Sequence, residues 1–213
     1  MSRRDHADLR CPACHMLEGL CVCALIPAPP LATRTRVVLI VHRDEARKPT
    51  NTGLLALRCL ANGEVVVRGR PDEPEPAITT APGTRAVVLF PSDDAVQLDR
   101  IEGPITLFVP DGTWRQAAKV RRRVPSLRDV PCATLPPGEP SRYRLRAEPV
   151  AGGLATFEAI ARALAVLEGP AIRAQLEPVF DAMVERTLWS RGALPTAAVR
   201  SGVPAEAIAR WRR

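Results

Sequence analysis

Two hydrophobic regimes alternate along the chain. Near-continuous apolar stretches rich in β-branched residues predict buried strands at 36–42, 64–68, 86–90 and 104–109, with a shorter one at 132–135. Elsewhere apolar residues recur at helical spacing. That spacing predicts helices at 54–60, 115–124, 154–167 and 172–189, with one or two further helical turns in 195–213. Asn51-Thr52 is placed to cap the first helix, and Asn62-Gly63 to end it. Residues 43–52 and the acidic, proline-rich stretch 71–83 read as loops. Strands alternating with helices predict an α/β domain, with a mostly parallel sheet and helices on both faces. Pro27, Pro29 and Pro30 form a stiff linker. It sets off residues 1–26 from a main domain at 27–213. No internal repeat is present.

Composition narrows the class. With 213 residues, 46% hydrophobic and 25% charged, the chain suits a globular domain with a small appendage and excludes a collagen, a coiled coil or a disordered chain. Apolar runs such as 37–41 and 86–90 fall far short of the ~20 residues a membrane helix needs. The first residues, Met1-Ser2-Arg3-Arg4, have no apolar stretch behind them. No secretion signal is therefore expected, and the chain reads as cytoplasmic. The formal net charge of +7 favours an anionic partner such as nucleic acid. Only Lys48 and Lys119 are lysines among 30 basic residues. Such an arginine skew, with 22 prolines, is what a GC-rich genome produces, so arginine abundance adds little to that inference.

Cys11, Cys14, Cys21 and Cys23 form a C-x2-C-x6-C-x-C pattern. Clustered thiols in a reducing compartment read as metal ligands rather than disulfides. Four soft ligands suit a tetrahedral zinc ion, and a site closed by four thiolates is structural rather than catalytic. His15 could replace one thiolate, and an iron–sulfur cluster is the competing occupant. Cys59 and Cys132 sit in apolar stretches and read as core residues.

In a parallel sheet, ligands bind at the carboxyl ends of strands. Here that rule selects the loop after His42, the segment Pro91-Ser92-Asp93-Asp94, and Asp111-Gly112-Thr113-Trp114. Asp111 at a strand tip is a candidate general base. The competing reading makes Asp111 or Thr113 a helix cap and Trp114 a core residue. Arg115, Lys119, Arg121, Arg122 and Arg123 form a basic stripe suited to phosphates, or a solvated helix face. Ser141-Arg142-Tyr143-Arg144-Leu145-Arg146 sets the only tyrosine among arginines, which bind carboxylate or phosphate. No G-x-G-x-x-G, Walker A, H-E-x-x-H or G-x-S-x-G pattern occurs.

Asp111-Gly112-Thr113-Trp114 resembles the D-x-T-W signature of the DTW-domain family. The cysteine pattern, His42 with Glu45, Asn51-Thr52-Gly53, Phe90-Pro91-Ser92, residues 141–146, and Thr156 with Glu158-Ala159 follow in the family's order. The resemblance spans about residues 11–190. It implies a SPOUT-like α/β fold with a C-terminal trefoil knot, and a tRNA-uridine aminocarboxypropyltransferase. Such an enzyme moves the 3-amino-3-carboxypropyl group of S-adenosyl-L-methionine to N3 of a tRNA uridine, leaving methylthioadenosine. Under this resemblance Asp111, Thr113 and Trp114 are the catalytic candidates. Ser92, Asp111, Arg144, Arg146, Thr156 and Glu158 would contact S-adenosyl-L-methionine, and Cys11, Cys14, Cys21 and Cys23 would hold Zn2+. His42, Asn51, Arg115, Lys119, Arg122 and Tyr143 would meet tRNA. No membrane or obligate protein partner is expected, and the chain is expected to act as a monomer. A SPOUT-type RNA methyltransferase and a non-catalytic zinc-bearing RNA-binding module are the alternatives.

Overall fold

The computed structural model describes residues 9–70, 77–145 and 152–211. Its centre is a six-stranded sheet in the order β2-β1-β5-β3-β6-β4, in which every pairing is parallel. The strands are β1 Arg36–His42, β2 Gly63–Arg68, β3 Arg85–Leu89, β4 Val96–Gln97, β5 Ile105–Asp111 and β6 Cys132–Thr134. The expected parallel α/β sheet is thus present, with β1 over the residues its apolar run predicts. β5 is buried at every position, as expected for a central strand covered on both faces.

The helices are α1 Arg43–Ala46, α2 Thr52–Arg58, α3 Trp114–Ala117, α4 Val120–Arg123, α5 Thr156–Glu168, α6 Pro170–Ser190 and α7 Ala205–Trp211. Alternate strand residues serve two cores, because successive side chains point to opposite faces. Val37, Leu39, Leu107 and Val109 face α2, α5 and α6, where Phe157, Ile160, Leu164 and Phe180 are fully buried. Val38, Ile40, Val88 and Phe108 face a smaller layer built from Val120, Val124 and Leu127.

Three expectations change in detail. The single helix expected over 115–124 is two short ones, interrupted at Ala118 and Lys119. The stretch 43–52 contains α1, capped by the His42 ring, whose Nδ1 accepts from the Asp44 amide at 3.3 Å. β4, at two residues, is too short to leave a pattern.

The cysteine segment packs into the larger core. Cys14, Met16, Leu20 and Val22 belong to the same buried cluster as the sheet face, α5 and α6. Buried Arg186 of α6 donates to the carbonyl of Cys21 at 2.7 Å and to that of Gly202 at 3.2 Å, tying the segment to the tail. No helix among the described residues is long and apolar enough to cross a membrane.

Candidate active site

The site begins where β5 parts from β3. Their pairing ends at Val88 opposite Phe108, whereas β1 follows β5 to Asp111. Pro110 has no N–H to continue a ladder on the open side. A cavity of about 620 Å3 opens there, against the carboxyl ends of β3, β5 and β6. Phe90, Pro110, Gly112, Trp114 and Thr156 line it, and residues 134–140 form its far wall. Its size falls within the ~300–1,000 Å3 of small-molecule sites.

Asp111, 7% exposed, is held beside this cavity. Asn51 Nδ2 donates to its Oδ2 at 2.5 Å, and Thr156 Oγ1 donates to its Oδ1 at 2.5 Å. Two donors suit an ionised carboxylate, which can only accept. Each donor is itself fixed. Asn51 caps α2 through Oδ1, which accepts from the Leu54 amide at 2.9 Å, and its Nδ2 also reaches the Glu45 carbonyl at 3.3 Å. Thr156 opens α5. Gly53 lets these elements converge: a Cβ there would lie 2.9 Å from Leu39 Cδ1 and 3.1 Å from Thr156 Cγ2.

The turn after Asp111 is set by glycine and a capping box. Gly112 has φ 151°, and a Cβ on it would meet Gln116 Oε1 at 2.9 Å. Thr113 caps α3, exchanging hydrogen bonds with Gln116. The capping alternative is thus the observed local role of Thr113. Trp114 is half-buried, packs on Phe90 with ring centroids 5.7 Å apart, and lines the cavity.

Glu158, 5% exposed, is spent on the Ser141 hydroxyl and two backbone amides. Its carboxylate accepts from Ser141 Oγ at 2.6 Å, the Arg142 amide at 2.7 Å and the Ala155 amide at 3.0 Å. It anchors the 141–142 loop to α5 and does not line the large cavity. Tyr143 donates to the Thr50 carbonyl at 3.2 Å, one residue before Asn51. Arg142 pairs with Glu177 at 2.7 Å and Asp181 at 3.1 Å. Burial pushes the Asp181 carboxyl above its ordinary value, with both Arg142 and Arg200 opposing. Arg144 is exposed and makes no side-chain hydrogen bond or ion pair among the described residues. Arg146 lies outside the described residues, as does the acidic loop from 71 to 76.

Ser92 sits elsewhere, beside a second pocket of about 330 Å3 on the opposite sheet face. Its hydroxyl donates to Asp94 at 2.6 Å, and Arg121 donates to the same carboxylate at 2.6 Å. These two partners hold the Asp94 carboxyl below its ordinary value. Arg122 lines this pocket too, and Arg115 and Lys119 lie on the same short stretch. His42 caps α1 at the tip of β1.

The four cysteines meet. Their sulfurs all lie within 4.8 Å of one another, at 3.5 Å for Cys14–Cys21 and Cys11–Cys21 and 3.7 Å for Cys11–Cys23. These separations match the edge of about 3.8 Å of a tetrahedron with four metal–sulfur bonds of ~2.3 Å. They are too long for disulfides, whose S–S bond is ~2.05 Å. The group could hold one metal ion, and His15 is not part of it.

Sequence comparison settles the family: the DTW-domain model matches residues 8–188. The chain belongs to the DTW-domain family. It is 33% identical over 178 residues to tRNA-uridine aminocarboxypropyltransferase 2 of Drosophila melanogaster, covering 78% of this chain and 70% of that protein. The Macaca fascicularis protein of the same name is 30% identical over 169 residues, covering 74% of this chain and 56% of its own. The chain thus matches little more than half of that relative's length. tRNA-uridine aminocarboxypropyltransferase A of Arabidopsis thaliana is 28% identical, with 84% and 81% covered. No solved structure matches.

Within this DTW domain two contributors went unread in the sequence. Gln116 was legible, since Thr-x-x-Gln at a helix start is a capping-box pattern. Arg162 gave no signal. It reaches from α5 to the carbonyls of Glu139 and Pro140, at 2.6 and 3.2 Å, and fixes the far wall of the cavity.

Proposed function

We propose that the protein transfers the 3-amino-3-carboxypropyl group of S-adenosyl-L-methionine to N3 of a tRNA uridine, releasing methylthioadenosine. The observation that carries this reading is the meeting of Asp111, Asn51 and Thr156 beside the large cavity, in a chain whose relatives are named tRNA-uridine aminocarboxypropyltransferases. The SPOUT-like reading, with a C-terminal trefoil knot, goes with it, and the all-parallel sheet agrees with the α/β part of that expectation.

The chemistry asks the chain for positioning and for a proton acceptor. Uridine N3 carries an imide proton. Asp111 takes it as N3 forms a bond to the terminal methylene carbon of the aminocarboxypropyl group. The carbon–sulfur bond breaks, and its electron pair stays on sulfur, which leaves as a neutral thioether. A sulfonium has three carbon substituents, so the group that moves is the one facing N3 in line. Asn51 and Thr156 fix the Asp111 carboxylate for this step. Trp114 and Phe90 give the cavity an apolar wall for a flat ring. Arg144, exposed on the loop anchored by Glu158 and not among the residues lining the cavity, or Arg146 is the cation for the donor's carboxylate.

The cysteine group fits zinc by its donor set and spacing. Cys11, Cys14, Cys21 and Cys23 would hold the ion, which would supply structure to the N-terminal segment and no chemistry at Asp111. The basic excess, with Arg115, Lys119 and Arg122, supports tRNA as the partner. The chain acts in the cytoplasm as a monomer on this reading.

The test is Asp111→Asn, which keeps both side-chain oxygen positions occupied by similar atoms. Donor binding by calorimetry should stay within about threefold, and single-turnover transfer should fall by ~10²–10⁴. Transfer at the wild-type rate would remove Asp111 from the role of base.

A further inference from the structure

The second pocket has no part in the chemistry above. It lies on the sheet face away from α5, with Val88, Phe90, Ala117, Ala118 and Cys132 forming an apolar floor. Arg121, Arg122 and Arg128 stand around it. Arg121 is paired with Asp94. Arg122 and Arg128 are exposed and make no side-chain hydrogen bond or ion pair among the described residues. Phe90 and Ala117 line both this pocket and the large cavity. The two spaces therefore share a wall, built on the packing of Phe90 against Trp114.

An apolar floor with a cationic rim is the complement of one nucleotide: a base face that stacks and a phosphate that pairs with guanidinium. The volume, about 330 Å3, is too small for a folded peptide element and lies at the low end for small ligands. The shared wall places such a nucleotide next to whatever occupies the large cavity.

We infer that this pocket seats the nucleotide adjoining the target uridine in a single-stranded stretch of the RNA. Its base lies on Phe90 and Ala118, and its phosphate meets Arg122 and Arg128. The inference rests on the reading of the large cavity as the uridine site. It adds that the enzyme grips a dinucleotide step across the Phe90–Trp114 wall. Base stacking is tolerant of sequence, so the pocket demands a base without strongly selecting which.

The experiment reads RNA binding by fluorescence anisotropy in the absence of S-adenosyl-L-methionine, and so does not depend on transfer. The probes are an unmodified tRNA transcript and single-stranded pentanucleotides with one central uridine. Arg122→Ala/Arg128→Ala should weaken transcript binding tenfold or more, and lower the salt slope by about 0.7 for the one phosphate no longer neutralised. Arg58→Ala/Arg85→Ala removes the same charge from exposed positions at the end of α2 and the start of β3; it should change binding less than threefold. Removing the base next to the uridine, on one of its two sides, should weaken wild-type binding about tenfold. Ala118→Trp, which fills the pocket from an exposed position, should abolish that sensitivity.

Equal losses in the two arginine pairs would reduce the effect to bulk charge and overturn the inference. So would an abasic penalty that persists in Ala118→Trp, or a loss of S-adenosyl-L-methionine binding rather than RNA binding in Arg122→Ala/Arg128→Ala. Normal transfer with an unchanged KM for tRNA in that variant would sink this inference and leave the transfer reaction standing. The predicted RNA effects without any transfer would do the reverse.

Discussion

Asn51 donates its side-chain amide to Oδ2 of Asp111 across 2.5 Å, from 60 positions away in the chain. The same side chain caps α2 through its other atom. Helix start and the Asp111 carboxylate are thus fixed by one residue. Asn51→Ser separates the two roles, because serine still caps but is too short to replace the amide. The cap itself should change by less than about 1 kcal/mol, the donor lost from buried Asp111 should cost ~1–3 kcal/mol, and transfer should fall at least tenfold. Equal rates in the variant and the wild type, measured at saturating substrates, would show that Asp111 needs no such partner.

Gly53 is predicted to be irreplaceable. A methyl group there would press on Leu39 and on Thr156, the second donor to Asp111. Gly53→Ala should cost ~1–3 kcal/mol by overpacking and lower transfer as well. Urea denaturation gives the first quantity and a single-turnover assay the second.

The cysteine group predicts one tightly held metal ion per chain, found by elemental analysis as zinc. Because Met16, Leu20 and Val22 between the ligands belong to the main core, losing the ion should loosen more than the N-terminus. Cys14→Ser, or chelation, should destabilise by about 3 kcal/mol, lowering the melting midpoint by roughly 6–12 °C. A visible absorption band and iron in place of zinc would overturn the assignment.

Cys59 should be silent to thiol reagents. It is fully buried, its Sγ donates to the Leu55 carbonyl at 3.5 Å, and burial pushes its thiol up to about 12. In the unfolded chain a cysteine loses its proton near ~8.5. The folded state therefore binds more protons than the unfolded one between those values, and stability contributed by this group falls as pH rises from about 8.5 towards 12. Alkylation of the native protein at pH 8, mapped by mass spectrometry, should leave Cys59 unmodified. A Cys59→Ala variant should show a shallower alkaline loss of stability.

Most strands were legible because they are unbroken apolar runs; β4, at two residues, was not. β1 needed only 36–42, while β5, expected over 104–109, runs on to Asp111. Helix 115–124 misled because ten residues lie below the ~12–15 at which a helix holds by itself, so packing of Ala117 and Val120 decided where it broke. At the site, the strand-end rule brought out Asp111, the capping pattern Asn51, and the family resemblance Thr156, as separate candidates. Their meeting was not legible, since it depends on β1 pairing with β5 and on the close approach at Gly53. The second pocket was unreadable for a similar reason: Val88 and Cys132 become neighbours only through sheet register.

Identifying the small-molecule product tests the central claim most directly. Purified protein, S-adenosyl-L-methionine and unmodified tRNA would be incubated together, and the sulfur-containing products resolved by mass spectrometry. The account predicts methylthioadenosine, with one aminocarboxypropyl group on a tRNA uridine, and neither with Asp111→Asn. S-adenosylhomocysteine with a methylated nucleotide would contradict it, and would make this DTW domain a methyltransferase on the same scaffold.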